Sequence, residues 1–187
     1  MGILAIVVIY NLYRYYHVDD SCEYSPVIMG TSDNNQVIET NMEETISTRQ
    51  LALSTIEHIG SEPKYTEEGR FKFEYQDATF LMETVDECPF VNLILPWVHS
   101  CSIFDVDEFS RLRRVVNDLN WTGTCQVFYT LYQESDEVAV HIKKHFLLVP
   151  KIDDIEGYLK ATIDSLFITA RTLDVEIEKC RLQECEK

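Results

Sequence analysis

Three segments of the chain carry apolar residues at helical spacing. The first extends from Asn41 to Gly60, because Asn41 and Glu44 have the spacing of a capping box and Gly60 is a typical residue after a helix end. The second begins at Asp105 and the third at Asp153, each with a glutamate three residues later. The apolar positions of the three predicted helices are, in order, Ile46, Leu53, Ile56 and Ile59; Val106, Phe109, Leu112, Val116 and Leu119; and Ile155, Leu159, Ile163, Leu166, Ala170, Leu173 and Ile177.

Five further segments have the pattern of β-strands. In residues 71–76 apolar and polar side chains alternate strictly, which is typical of a strand with one buried face. Apolar runs at residues 79–85, 90–98, 125–132 and 138–149 are rich in β-branched and aromatic residues and are separated by short polar links. The element order α-β-β-β-α-β-β-α therefore predicts an α+β domain, in which helices pack on an antiparallel five-stranded sheet.

The N-terminal part of the chain differs from this domain. Residues 3–10 are an unbroken apolar run, shorter than the ~20 residues that cross a bilayer comfortably. A membrane anchor, a signal segment and a strand of the domain are three interpretations, and the missing basic region and cleavage site weigh against a signal. We expect an anchor in residues 1–18, an acidic linker in 19–40, the domain in 41–178 and a frayed tail in 179–187. Arg14 follows the run, which favours a domain that stays at the cytoplasmic face of the membrane or in the cytoplasm.

Charge and cysteine content narrow the class of partner. The formal net charge is −16, so the surface repels phosphate backbones and nucleic acid is not expected as a partner. Six glycines without a phosphate-binding loop exclude the common nucleotide folds, and we expect no cofactor. The six cysteines form no regular framework, which indicates reduced thiols.

The residue types that carry chemistry do not form a recognisable site. His141 and His145 lie in a predicted strand, where four residues span about 13 Å, too far to share one metal ion. Cys88, His99 and Cys101 bracket a strand and could meet through a loop, but they lack the close Cys-x-x-Cys pairing of structural zinc sites. We therefore predict no metal site, no catalytic residues and no enzymatic activity.

A family resemblance comes from one stretch and from the element order. The sequence from Val116 to Trp121, Val-Asn-Asp-Leu-Asn-Trp, precedes a predicted hairpin and a helix that begins Ile-Glu-Gly-Tyr-Leu at Ile155. Together these features resemble the YbjN-type sensory-transduction regulators, a bacterial family with the type III secretion chaperone-like fold. The resemblance covers about residues 42–173 and implies a non-enzymatic adaptor or chaperone without an agreed active site. No functional residue follows from it.

Two predicted strands carry apolar residues on both faces. Leu93, Leu95 and Trp97 are expected to face inward, as are Val127, Tyr129 and Leu131. Opposite them stand four residues that form the predicted partner-binding patch, namely Ile94, Val98, Phe128 and Tyr132. Either the second helix covers these four residues, or they bind a protein partner or a second copy of the chain. The leading hypothesis is thus a non-catalytic protein-binding module, with an enzyme that uses an unrecognised Cys, His and carboxylate site, or a structural membrane-accessory domain, as alternatives.

Overall fold

The computed structural model describes residues 46–66, 69–86 and 88–185. These ranges contain three helices and six strands, and every pair of neighbouring strands is antiparallel. The helices are α1 (Thr48–His58), α2 (Val106–Thr122) and α3 (Ile155–Cys185). The strands are β1 (Lys64–Tyr65), β2 (Phe71–Tyr75), β3 (Ala78–Val85), β4 (Cys88–Ser102), β5 (Gln126–Tyr132) and β6 (Glu137–Leu147).

The strands lie in the order β1-β2-β3-β4-β6-β5. The predicted α+β class with an antiparallel sheet is confirmed, but the prediction of five strands is wrong. The additional strand is β1, in which Lys64 pairs with Lys72 and Tyr65 with Phe71. Two exposed residues are too few to show an alternation, so the sequence pattern does not reveal this strand.

Helix α1 starts later than the sequence predicts and ends where expected. Asn41 and Glu44 lie outside the described residues, and the capping box is formed by Ser47 and Gln50, whose side chains each accept the other's backbone N–H at 3.2 Å. At the other end Gly60 has φ +87°, and its N–H donates to Glu57 at 2.9 Å. The N–H of the following residue, Ser61, reaches the carbonyl of Ile56 and completes a Schellman motif.

The core lies between the sheet and the three helices. Apolar residues at alternating strand positions pack with the buried positions of α1, α2 and α3. Ring contacts join Phe109 of α2 to Tyr129, and Phe167 of α3 to Phe80. The largest fully buried side chains are Phe71, Phe73, Phe80, Ile56, Met82, Leu93, Leu112, Ile142, Leu148, Leu159, Ile163 and Leu166. The sheet face that contributes to this core is called the inner face below.

Helix α3 is longer than the predicted domain boundary allows. Asp154 caps the start of this helix in place of the predicted Asp153, because the Asp154 carboxylate accepts the N–H of Gly157 at 2.8 Å. Residues 179–185, expected to fray, continue the helix to Cys185. Arg181 and Glu184 in this segment form ion pairs with α2, which explains why the last turns stay helical.

The predicted anchor and linker, residues 1–18 and 19–40, lie outside the described residues. No helix within the described ranges is both long enough and apolar enough to cross a membrane.

Candidate functional site

The sheet has a second face, called the outer face below, which points away from the core. Phe128 lies opposite His141 in the β5–β6 pair and Tyr132 lies opposite Glu137, whereas Val127 and Ile142 at alternate positions are buried in the core. The contacts of α2 with Tyr129 and of α3 with Phe80 all involve inner-face residues. The second predicted helix therefore packs on the other side of the sheet from Phe128 and Tyr132.

A bulge in β4 brings a third aromatic residue to this face. Leu95 pairs with Ile142 and His99 with Val140, so Pro96, Trp97 and Val98 together lie opposite His141. Trp97 has φ +56°, and its backbone N–H donates to Nδ1 of His141 at 3.2 Å. Trp97 does not face inward as predicted, because the bulge turns its ring towards β5.

Trp97, Phe128, Tyr132 and His141 form the outer aromatic cluster. The rings of Trp97 and Tyr132 are stacked with centroids 4.9 Å apart. The His141 ring lies 5.2 Å from Phe128 and 6.0 Å edge-on from Trp97. Trp97 is 50% exposed and Tyr132 is 36% exposed, so the cluster presents large aromatic area at the surface.

His141 is the buried centre of this cluster. Its side chain is 6% exposed, and burial lowers the pKa of His141. The imidazole is therefore neutral near pH 7, which allows Nδ1 to accept the Trp97 N–H. The histidine thus holds the bulge through its hydrogen bond to Trp97, and its ring packs against the rings of Trp97 and Phe128.

The other two predicted patch residues are placed differently. Ile94 lies on the outer face between Leu81 and Lys143 and is half-buried. Val98 is half-buried and packs against the core, because it lies within the bulge, where the alternation of the two faces is broken. The structure therefore places Phe128, Tyr132 and Ile94 on the same face, and Phe128 is linked to Tyr132 through the rings of His141 and Trp97. Val98 packs against the core instead.

The opposite end of the outer face is polar and internally paired. Glu83 lies 2.8 Å from Arg70 and accepts a hydrogen bond of 3.2 Å from Asn92. Asn92 in turn lies 2.8 Å from Nδ1 of His145, whose ring stacks on Phe90. This ladder crosses β3, β4 and β6. The outer face thus has a ladder of paired polar side chains near one end and the outer aromatic cluster at the other.

A buried ion-pair network between α2 and α3 was not predicted from the sequence. Glu108 is 6% exposed and accepts a hydrogen bond of 2.7 Å from Arg181, and it also contacts Arg111 and His99. Burial acts to raise the pKa of Glu108, but the hydrogen bond and charge of Arg181, with the charges of Arg111 and His99, outweigh it and lower the pKa. Glu108 and Arg181 are far apart in the chain, so spacing gives no signal for this contact.

The thiol of Cys101, near this network, is poorly suited to nucleophilic catalysis. Burial raises the pKa of Cys101, as do the negative charges of Glu108, Asp105 and Glu137. A thiol in this environment stays protonated, whereas a nucleophile needs the thiolate. Cys88 lies at the other end of the same continuous strand β4, so no loop brings it to Cys101 as the sequence allowed. Among the described residues, no three His, Cys, Asp or Glu side chains are grouped to hold a metal ion.

Comparisons with known proteins give little beyond this geometry. No family model and no curated protein matches the chain, so the resemblance to the YbjN-type regulators stays a prediction. The chain is similar to the crystal structure of an uncharacterized protein from Methanothermobacter thermautotrophicus. The sequence identity is 10%, the TM-score is 0.48, and the match covers 71% of this chain and 97% of the other. Function is therefore inferred from the chemistry of the surfaces themselves.

Proposed function

We propose that the protein is a non-catalytic protein-binding module, of chaperone or regulator type, that binds a partner protein on the outer aromatic cluster. The observation that carries the proposal is the exposed stack of Trp97 on Tyr132, on a sheet face from which the helices of the described ranges are turned away. Large aromatic side chains are the residues that most often dominate the energy of protein interfaces. The type III secretion chaperone-like fold belongs to the same proposal.

The chemistry of the rest of the domain supports a binding role over an enzymatic one. The thiol of Cys101 is held protonated, and the buried carboxylate Glu108 is already neutralised by Arg181 and Arg111. Neither group is poised to transfer a proton or attack a substrate. The net charge of −16 favours a partner whose contact segment is basic at its rim and apolar at its centre.

The proposal is tested by placing charge in the aromatic cluster. The variant Phe128→Asp with Tyr132→Asp is expected to lose the partner proteins that the immobilised full-length chain recovers from native extract, because burying two unpaired carboxylates opposes docking. Ile168→Asp with Val175→Asp is the matched control. It makes the same change in charge at two exposed apolar residues of α3, and it is expected to keep the partners.

Circular dichroism and thermal unfolding establish whether each variant is folded. The proposal is contradicted if the folded outer-face variant retains the same partners, or if the α3 variant loses them equally. It is also contradicted if the wild-type chain recovers nothing specific and the outer-face variant simply unfolds, because Phe128 and Tyr132 would then be core residues.

We further propose that residues 1–18 tether the domain to the cytoplasmic face of a membrane. The support is the apolar run at residues 3–10 followed by tyrosines, which favour the membrane interface. Deleting residues 1–18 is expected to move the protein from the membrane fraction to the soluble fraction without changing its partners. A full-length protein found wholly in the soluble fraction would exclude the tether.

A further inference from the structure

The two edges of the sheet are built differently. One edge is β1, which has two residues, both exposed, and begins with Lys64. The other edge is β5, whose seven residues Gln-Val-Phe-Tyr-Thr-Leu-Tyr include no charge, although 26% of the chain is charged. Natural proteins protect sheet edges with short strands, lysine or proline. Such protection is present at β1 and missing along most of β5.

One residue of the β5 edge is already occupied from within the chain. The side-chain amide of Asn120 accepts the N–H of Val127 and donates to its carbonyl, both at 2.8 Å. Both backbone groups of Val127 therefore point away from β6, towards the free edge. Asn120 takes the place that a neighbouring strand would occupy at this position and is called the edge clamp below.

The edge clamp shows which backbone N–H and C=O groups of β5 point to the free edge and have no hydrogen-bond partner among the described residues. Backbone groups alternate in direction along a strand, so Tyr129 and Leu131 present their N–H and C=O groups on the same side as Val127. In the described ranges, β5 pairs with β6 alone, and no backbone hydrogen bond to a turn or loop involves Tyr129 or Leu131. The open part of the edge is bounded by the clamp at Val127 and by the turn that begins at Gln133.

We propose that this open edge pairs antiparallel with β5 of a second copy of the chain, about a two-fold axis at Thr130. The inference goes beyond the proposed function, because it does not depend on a partner at the outer aromatic cluster. It joins the sheets of two copies into one continuous sheet.

The clamp selects the register of this pairing. With the axis at Thr130, Tyr129 lies opposite Leu131 of the second copy and Leu131 opposite its Tyr129, and each such pair exchanges both N–H···O bonds. A register centred on Tyr129 would need the backbone groups of Val127, which are already bonded to Asn120. A register centred on Leu131 would place Tyr129 opposite Gln133, where the strand has ended. Only the register at Thr130 uses all the open groups.

The side chains and charges fit the same register. On the outer face, Phe128 lies opposite Tyr132 of the second copy on both sides of a Thr130–Thr130 pair, and aromatic and threonine cross-strand pairs are stabilising. Along the edge, Lys144 lies beside the start of β5, where it donates to Thr124, and Glu134 and Asp136 follow its end. Antiparallel pairing of two such edges sets the acidic end of one copy beside the basic end of the other.

The pairing would also extend the surface used in the proposed function. It places the outer aromatic clusters of two copies next to each other on one continuous face. Pairing through five residues of each copy makes a small interface, since stable interfaces bury ~1,200–2,000 Å² of surface. Trp121, the neighbour of the clamp in α2, is 89% exposed and is available to enlarge the contact at the same edge.

Charge swapping at the two-fold axis tests the register. The full-length wild-type chain is expected to sediment at twice 21.8 kDa at the upper end of a concentration series. Thr130→Asp and Thr130→Lys are each expected to sediment as monomers, because like charges then face each other across the axis. An equimolar mixture of the two variants is expected to restore the dimer. Residues 1–18 are identical in all samples, so association through them would not follow this pattern.

A backbone variant separates edge pairing from contact through the outer face. Leu131→Pro removes an N–H that points away from β6, and an edge strand tolerates proline at such a position. It is expected to be a folded monomer, whereas Leu131→Ala keeps the N–H and the dimer. Recovery of partner proteins from native extract by Leu131→Pro is measured separately, since this variant leaves Phe128 and Tyr132 unchanged.

A wild-type chain that stays monomeric at every concentration would overturn the inference. So would single-charge variants that remain dimeric, or a mixture that fails to reassociate. If Leu131→Pro is unfolded, the charge-swap experiment alone tests the pairing. A dimer restored by mixing the two Thr130 variants requires that both variants are folded.

Discussion

Glu108 is the only carboxylate that is buried in the described part of the chain, and its neighbours explain how that burial is tolerated. Arg181 and Arg111 bond both of its oxygens, while His99 lies 3.5 Å away. Removing one member of a buried ion pair typically costs roughly 3–5 kcal/mol, because the other charge is left uncompensated. Arg181 is partly exposed, so water can compensate for some of the loss.

We therefore expect Glu108→Gln to lower the free energy of unfolding by about 2 kcal/mol at pH 7. Because folding lowers the pKa of Glu108, its contribution is fully present above the ordinary value of 4.5 and is lost as the pH falls through the lower folded value. The difference between wild type and variant should thus shrink in urea denaturation at pH 3. Glu178→Gln is the control, since its exposed pair with Arg181 is worth less than ~1 kcal/mol. Equal losses in both variants, or a difference independent of pH, would contradict this account of Glu108.

At the scale of secondary-structure elements, residue spacing within a few positions correctly predicted helix ends and strand faces, because interactions over the same short range determine them. The Gly60 helix stop, the Asp105 cap of α2 and the inward set of β2 follow from spacing within a few residues. The β4 bulge does not, because residues 93–98 are apolar without interruption, and only the register with β6 reveals the bulge. Pro96 was the available signal, since proline cannot donate a ladder bond and is found in sheets at bulges and edges.

Contacts between distant elements were beyond the sequence pattern. The apolar stripe of α2 predicted Val106 as a core residue, yet Val106 is exposed and Glu108 is buried, because Arg181 of α3 supplies a partner for the carboxylate. The same contact extends α3 through the residues predicted to fray. Helical periodicity predicts which side of a helix is buried, but it does not predict which charged residue of a distant helix lies against that side.

At the scale of the whole molecule, the α+β class was predictable because the strand and helix periods are distinct along the chain. The position of β6 between β4 and β5 was not, and that position makes β5 an edge. It also sets His141 of β6 beneath Trp97 of β4 and Phe128 of β5. Of the predicted patch, Phe128 and Tyr132 lie on the predicted face because alternation within β5 is regular, whereas the β4 bulge places Val98 against the core.

Contact of partner proteins with the outer face of the sheet is the basis of the proposed function. Site-specific photo-crosslinking in the source cell tests it most directly, with p-benzoylphenylalanine at position 132 in one protein and at position 168, on the exposed side of α3, in another. Discrete crosslinked products are expected from position 132 and none from position 168. Crosslinks from position 168 with none from position 132 would contradict it.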